Sequence, residues 1–228
     1  MYIITIDGPS ASGKSTVADI VAKKLSIEHI NSGEAYRAIA YFMLQQSISP
    51  KDEEAVNKAL KQNKFEMICK NANQILKVND KDVTRFLHTN QINEVVSQYG
   101  KNPQVIYKAS DMAREACKNI SAVMDGRNLG SFCFPDAKYK FYVDCDAYER
   151  ADRRFNEMKQ KGIDVDFDSI YQQTLERDNL DKTRNVAPLI VPENAIVIDS
   201  THLTAEQVAE KIVDIVNKLE KHTETNVF

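Results

Sequence analysis

The chain lacks tryptophan and has only seven glycines among 228 residues. A sequence this poor in glycine keeps it where backbone geometry demands it. Five of the seven fall in three short segments: Gly8 and Gly13, Gly33, and Gly126 and Gly130. Gly100 and Gly162 read as ordinary helix ends or turns. Cysteine is also sparse. Cys69, Cys117, Cys133 and Cys145 show no C-x-x-C spacing, so they read as reduced core thiols of a cytoplasmic protein. The histidines (His29, His88, His202 and His222) are scattered and join no cysteine cluster, which argues against zinc. The net charge of −3 provides no global basic field for nucleic acid or an anionic membrane. No apolar run approaches the roughly 18 residues that span a bilayer. A strand expected from residue 2 leaves no room for a cleaved leader. What remains is a chain expected to act on small molecules, long enough for one α/β core with a small appended lobe.

Against these absences one segment stands out. Gly8-Pro9-Ser10-Ala11-Ser12-Gly13-Lys14-Ser15 fits the phosphate-binding loop G-x-x-x-x-G-K-[ST]. Inward backbone N–H groups wrap phosphates in such a loop. Lys14 brings a mobile positive charge to the outer phosphates. Ser15 offers a hydroxyl to Mg²⁺ and opens a helix whose positive end faces the anion. The context agrees: Tyr2-Ile3-Ile4-Thr5-Ile6 reads as a buried strand, and Val17, Ile20, Val21 and Leu25 follow at helical spacing. The ligand class is therefore nucleoside triphosphate with magnesium.

The rest of the chain alternates strand and helix, which predicts a parallel sheet covered on both faces. A short strand is expected at Glu28–Asn31, then helices over about 35–46 and 52–62. Between about 64 and 84, two or three short strands with tight turns, one at Lys70-Asn71-Ala72-Asn73, interrupt the alternation as a small antiparallel insertion. Helices are expected at about 91–99 and 103–117, with Pro103 at a first helical position. Strands follow at 121–125 and 140–144, helices at about 147–161 and 168–180, and a last strand at 195–199. Thr204-Ala205-Glu206-Gln207 reads as a capping box before the final helix, and His222 to Phe228 as a frayed tail.

Three further constellations carry chemistry. Met124-Asp125-Gly126-Arg127-Asn128-Leu129-Gly130 sits at a strand end, where ligands of open α/β sheets gather. Asp125 is placed to hold Mg²⁺ or its water, and Arg127 to meet a phosphate. Taken alone, the same segment also reads as a turn with a solvated arginine. In Asn31-Ser32-Gly33-Glu34-Ala35-Tyr36-Arg37, Ser32 can cap a helix and Arg37 lies one turn in. Five of the nine arginines fall between 150 and 184: Arg150, Arg153, Arg154, Arg177 and Arg184. They read either as a solvated, salt-bridged helix or as a mobile lid that brings guanidiniums onto a transferring phosphoryl group. A GTPase switch is disfavoured, because no Asp has Gly three residues later and no Asn-Lys-x-Asp guanine reader is present. A kinase for another small acceptor, or a nucleotide-binding regulator with little turnover, stays open.

In order and spacing, the phosphate loop, Asn31-Ser32-Gly33-x-x-Tyr36-Arg37, Asp125-Gly126-Arg127-x-x-Gly130, Phe134-Pro135-Asp136-Ala137 and Glu176-Arg177-Asp178-x-x-Asp181-x-x-Arg184-x-x-Ala187-Pro188-Leu189 resemble the bacterial cytidylate kinases. The resemblance covers nearly the whole chain. It implies a single nucleoside monophosphate kinase domain with a five-stranded parallel core (about 1–31, 119–150 and 186–221). It adds an acceptor lobe with the β insertion (about 32–118) and a short lid with flanking helices (about 151–185). It also implies a monomer that transfers phosphoryl from ATP to CMP or dCMP. On this basis ATP and Mg²⁺ would be held by Gly8 to Ser15, with Thr16 and Arg154 adding contacts. Ser32, Arg37, Ser97, Arg127, Asn128, Arg177 and Asp181 would hold the acceptor nucleotide. Lys14, Asp125, Arg127 and Arg184 would act on the transferring group. The sequence departs from the family at Asn128, where Asp is usual, at Ile106, where an Arg is usual, and more mildly at Asn31. A base pocket without that Asp and Arg predicts weaker discrimination of CMP from UMP, or a shift to another monophosphate, unless Lys108 or Arg114 compensates.

Overall fold

The computed structural model describes residues 1–70 and 73–225. Five strands form one parallel sheet: β1 (Ile3–Asp7), β2 (Glu28–Asn31), β6 (Ala122–Gly126), β7 (Tyr139–Asp144) and β8 (Ile196–Asp199). Their order is β2-β6-β1-β7-β8. The register aligns the carboxyl ends: Asp7 lies opposite Gly126 and Tyr142, Asn31 opposite Asp125, and Asp144 opposite Asp199. One edge of the sheet therefore collects the polar strand ends, while Ile4, Ile6, Val123, Met124 and Phe141 are fully buried behind them.

Two cores flank the sheet, as expected of parallel strands covered on both faces. On one face, α1 (Lys14–Leu25) and α8 (Ala205–Thr225) pack Val17, Val21, Val208, Ile212 and Val216 against Ile4, Ile6 and Phe141. The Thr204 capping box forms: the Gln207 amide N–H donates to Thr204 Oγ1 at 3.2 Å, and the Thr204 N–H to Gln207 Oε1 at 2.9 Å. The helix continues through Thr225, four residues into the segment expected to fray; residues 226–228 lie outside the described residues. On the other face sit α2 (Gly33–Gln45), α3 (Glu53–Gln62), α4 (Asn90–Tyr99) and α5 (Pro103–Cys117). Ile39, Met43, Leu87, Ile92 and Tyr99 fill this second core with Ile30 and Met124.

The insertion is a three-stranded antiparallel sheet, β3 (Phe65–Lys70), β4 (Asn73–Val78) and β5 (Lys81–Asp82). The turn expected at Lys70-Asn71-Ala72-Asn73 includes residues 71 and 72, which lie outside the described residues. Phe65, Met67, Leu76 and Val78 join the second core, so the insertion shares a core with the kinase sheet. Its Gln74 side chain pairs with both polar groups of the Asn31 backbone, accepting from N at 3.0 Å and donating to O at 2.9 Å. The amide thereby stands in for one more strand residue on the open edge of β2. Finally, α6 (Ala147–Gln160) and α7 (Phe167–Thr183) form a helical hairpin beside the phosphate loop, closed by Tyr148, Phe155, Phe167 and Tyr171 in edge, tilted and stacked contacts.

Candidate active site

The phosphate loop joins β1 to α1. Gly8 has φ +150°, and a Cβ there would lie 2.2 Å from the Val143 carbonyl oxygen of β7. Only glycine lets the loop cross the sheet edge so closely. Gly13, with φ +85°, precedes the helix as its N-cap. Lys14 is 7% exposed and folds back over the loop, donating to the Pro9 carbonyl at 2.5 Å and to Ser12 Oγ at 3.3 Å. Burial, reinforced by Arg127, pushes its ammonium pKa down to about 7, with Asp125, Asp7 and Asp181 pulling the other way. Thr16 is exposed and lies outside the cavity lining.

Asp125 stands one residue before the end of β6, beside this loop. Its Oδ2 accepts the Ser15 hydroxyl at 2.6 Å, and its Oδ1 lies 2.8 Å from His29 Nε2. Ser32 reaches the same residue from β2, donating Oγ–H to the Asp125 carbonyl at 2.8 Å. Here the structure corrects an expectation: the Ser32 side chain makes no cap bond at the start of α2, and Asn31 Oδ1 accepts the Gly33 N–H instead, at 2.9 Å. The hydroxyl of Ser32 is committed to β6, so Asn31 supplies the first-turn acceptor.

A cavity of ≈ 310 Å³ opens between the loop, α2, α4 and the α6–α7 hairpin. Lys14, Arg37, Lys101, Arg127, Arg154, Arg177 and Arg184 line it, against three carboxylates, Glu34, Asp125 and Asp181. Arg127 pairs with Asp181 across the cavity. Arg37 donates to Asn93 Oδ1 at 2.7 Å and to the Leu87 carbonyl at 3.2 Å. Arg184 donates to the Ala187 carbonyl at 2.5 Å, yet its buried Nη2 has no hydrogen-bond partner among the described residues, nor has Arg177 Nε. Repulsion from Arg127, then burial, lowers the Arg177 pKa to about 10. Cations held this close with unspent donors make a receptor for anions of high charge, and phosphate is the group whose geometry fits arginine forks.

Ser97 and Asn128 line the same cavity, Asn128 only 5% exposed and with its Nδ2 unpartnered. Ile106 does not: it is fully buried in α5 and absent from the lining. Nor do the suggested compensators line the cavity where Ser97 and Asn128 do. Lys108 is outside the lining, and Arg114 is spent on the Cys133 and Phe132 carbonyls and Asp111. Lys101, one turn after Ser97, is the cation present there.

Several residues were not singled out from the sequence. Asp7 is fully buried, and its two oxygens accept the Leu129 and Gly130 N–H groups at 2.8 and 2.7 Å, fixing the turn that carries Asn128. Burial raises its pKa to about 6 against those donors and Lys14. An acid closing an otherwise apolar strand was its only signal. Arg150 is not a ligand group: it is 3% exposed and bonds Asp178, the Cys145 carbonyl and the Ser10 carbonyl. Arg150 fits neither reading left open for the arginine run, being salt-bridged but buried, while Arg154, Arg177 and Arg184 line the cavity.

A phosphate loop at the carboxyl edge of a parallel sheet faces a cationic cavity, the site of a nucleoside monophosphate kinase. The cytidylate kinase family model matches residues 4–218. Cytidylate kinases of Geobacillus sp. (strain WCH70) and Bacillus subtilis (strain 168) are each 39% identical over 215 residues, covering 94% of this chain and 96% of the relative. That of Carboxydothermus hydrogenoformans is 35% identical over 215 residues, covering 94% and 97%. The chain belongs to the cytidylate kinase family. Among described residues no helix is long and apolar enough to cross a membrane.

Proposed function

We propose that the chain transfers the γ-phosphoryl group of ATP to CMP and dCMP, giving the diphosphate and ADP, as a cytoplasmic monomer. The observation that carries this reading is the single cavity in which the phosphate-loop Lys14 and Ser15 meet Arg37, Arg127, Arg177 and Arg184. One phosphate chain approaches from the loop and one phosphate from the arginines, so donor and acceptor share one enclosed space. The core, the acceptor lobe of residues 32–118 and the lid of residues 151–185 would form the three sides of that cavity.

The chemistry is mainly positioning and charge neutralisation. Gly8 to Ser15 would wrap the ATP phosphates through backbone N–H groups, with Lys14 on the outer phosphates and Arg154 at the donor side. Ser32, Arg37 and Arg127 would hold the acceptor, the arginines through its phosphate. Arg177 and Asp181 would engage its sugar or phosphate, and Ser97 and Asn128 its base. Arg184 would meet the transferring group, where its free Nη2 has a charge to satisfy. Magnesium fits the donor set. Ser15 and Asp125 bring two oxygens within 2.6 Å of each other beside the loop, and this ion takes few protein ligands alongside phosphate. Bound with ATP, magnesium would neutralise charge on the phosphate oxygens.

The test is ADP release from ATP and Mg²⁺ over a panel of CMP, dCMP, UMP, dUMP, AMP and GMP. Turnover of CMP and dCMP well above the purine nucleotides is expected; turnover of none would overturn the reading. Base selection has its own prediction. Asn128 offers an NH₂ as well as an oxygen, and can donate to uracil O4 where an Asp cannot. Asn128→Asp should therefore raise the CMP-to-UMP ratio of kcat/KM by the worth of a charged hydrogen bond, about 1.5–3 kcal/mol. An unchanged ratio would show that Asn128 does not read the exocyclic group.

A further inference from the structure

One side chain reaches the magnesium corner from behind without lining the cavity. His29 projects from β2, and its Nε2 lies 2.8 Å from Asp125 Oδ1 while Ser15 holds Oδ2. The two carboxylate oxygens are thus divided between the sheet and the phosphate loop. Asp125 is 6% and His29 21% exposed on the side chain, so water competes weakly for this contact. Rotation about the carboxylate bond of an aspartate is soft. Among the described residues, His29 is the hydrogen-bond partner of Oδ1, and with Ser15 on Oδ2 it sets the plane of this one. β2 is itself immobilised at both sides: it pairs with β6 on one edge, and Gln74 bonds the Asn31 backbone on the other. A rigid strand therefore carries the histidine to the acid.

We infer that His29 is a positioning residue for magnesium. An imidazole protonated at Nε2 donates to Asp125 Oδ1 and keeps Oδ2 turned toward Ser15 and the metal of bound ATP. The inference rests on the reading of Asp125 as a magnesium-side acid. Hydrogen-bond partners of metal-side carboxylates typically change metal affinity by about 10–100-fold when removed; one neutral donor at a carboxylate that also has Ser15 belongs at the low end.

The experiment is calorimetric and needs no turnover. ATP affinity of the full chain is measured in EDTA and again with Mn²⁺, and the ratio of the two isolates the metal's contribution. His29→Phe keeps a ring and removes the donor; the ratio should fall roughly tenfold, with the affinity in EDTA unchanged. His29→Gln, which retains an N–H, should recover most of the ratio, and His29→Leu repeats the loss in a smaller side chain should Phe disturb folding. Asp125→Ala is the reference. If it lowers the ratio while His29→Phe does not, or if His29→Gln loses as much as His29→Phe, the positioning role is wrong and the magnesium reading stands. If Asp125→Ala leaves the ratio unchanged, the magnesium reading fails and this inference with it.

Discussion

Lys14→Met should lower kcat by about 10²–10³-fold, the loss seen when one preorganised charge or donor at a reacting centre is removed, and should at the same time raise the melting temperature of the nucleotide-free protein. The two effects share a cause. Lys14 is buried beneath its own loop, and that burial, with Arg127 nearby, lowers its pKa to about 7. Below that pH the folded protein carries a buried ammonium that the unfolded chain would leave in water. Between about 7 and the ordinary lysine value near 10.5 the unfolded state binds more protons, so this cost is relieved as pH rises. The stability gained by Lys14→Met is therefore greatest at pH 6–7 and shrinks toward pH 10. Phosphate reverses the balance by favouring the charged form. ATP binding near pH 7.5 should accordingly take up a proton, visible as a heat that varies with the ionisation enthalpy of the buffer. Equal melting temperatures for the two proteins across that range, together with no proton uptake, would mean that the ammonium is already solvated in the free enzyme.

Arg150→Met should cost about 3–5 kcal/mol of stability, because removing one partner of a buried ion pair leaves the other charge uncompensated. Arg150 bonds both oxygens of Asp178, with Nη1 to Oδ1 at 3.0 Å and Nη2 to Oδ2 at 2.5 Å, and Nε donates to the Cys145 carbonyl at 2.9 Å. The side chains are 3% and 11% exposed, so little solvent screens them. One guanidinium thus ties the end of β7 to α7. Its further bond to the Ser10 carbonyl at 3.1 Å ties both to the phosphate loop. Chemical denaturation would read the loss, and the double substitution Arg150→Met with Asp178→Leu should restore much of it, since a buried pair can be replaced by apolar groups at small net cost. The double variant should still bind ATP more weakly, because the Ser10 contact is not restored. A single variant with unchanged stability would show that water reaches this pair.

The sequence by itself determined the local elements and the ligand class. Apolar runs closed by an acid marked β1, β6, β7 and β8; for β1, β6 and β7, buried on both faces, the run must be apolar until it reaches the wet edge of the sheet. The phosphate loop was legible because its chemistry is contained in eight consecutive residues and the backbone between them. The insertion was legible from its turn residues and alternation. Most ends of elements moved by a residue or two, and those of α7 and α8 by three and four, as they do where capping groups compete. Ser32 shows why: its hydroxyl can serve α2 or a distant strand, and only the pairing of β2 with β6 decides that it serves Asp125.

Tertiary structure decided everything that depends on contacts between residues far apart in the chain. Arg150, Arg154, Arg177 and Arg184 are alike in sequence, but packing spends Arg150 on Asp178 and leaves Arg177 Nε and Arg184 Nη2 unpaired in the cavity. Ile106 falls where a base-reading arginine was expected; it lies fully buried in α5, and Lys101 lines the cavity instead. Asp7, His29 and Gln74 carry no motif. Their partners, Gly130, Asp125 and Asn31, stand 123, 96 and 43 positions away. A hydrogen bond depends on a few tenths of an ångström and on direction, and sequence spacing fixes neither once the chain has crossed the sheet.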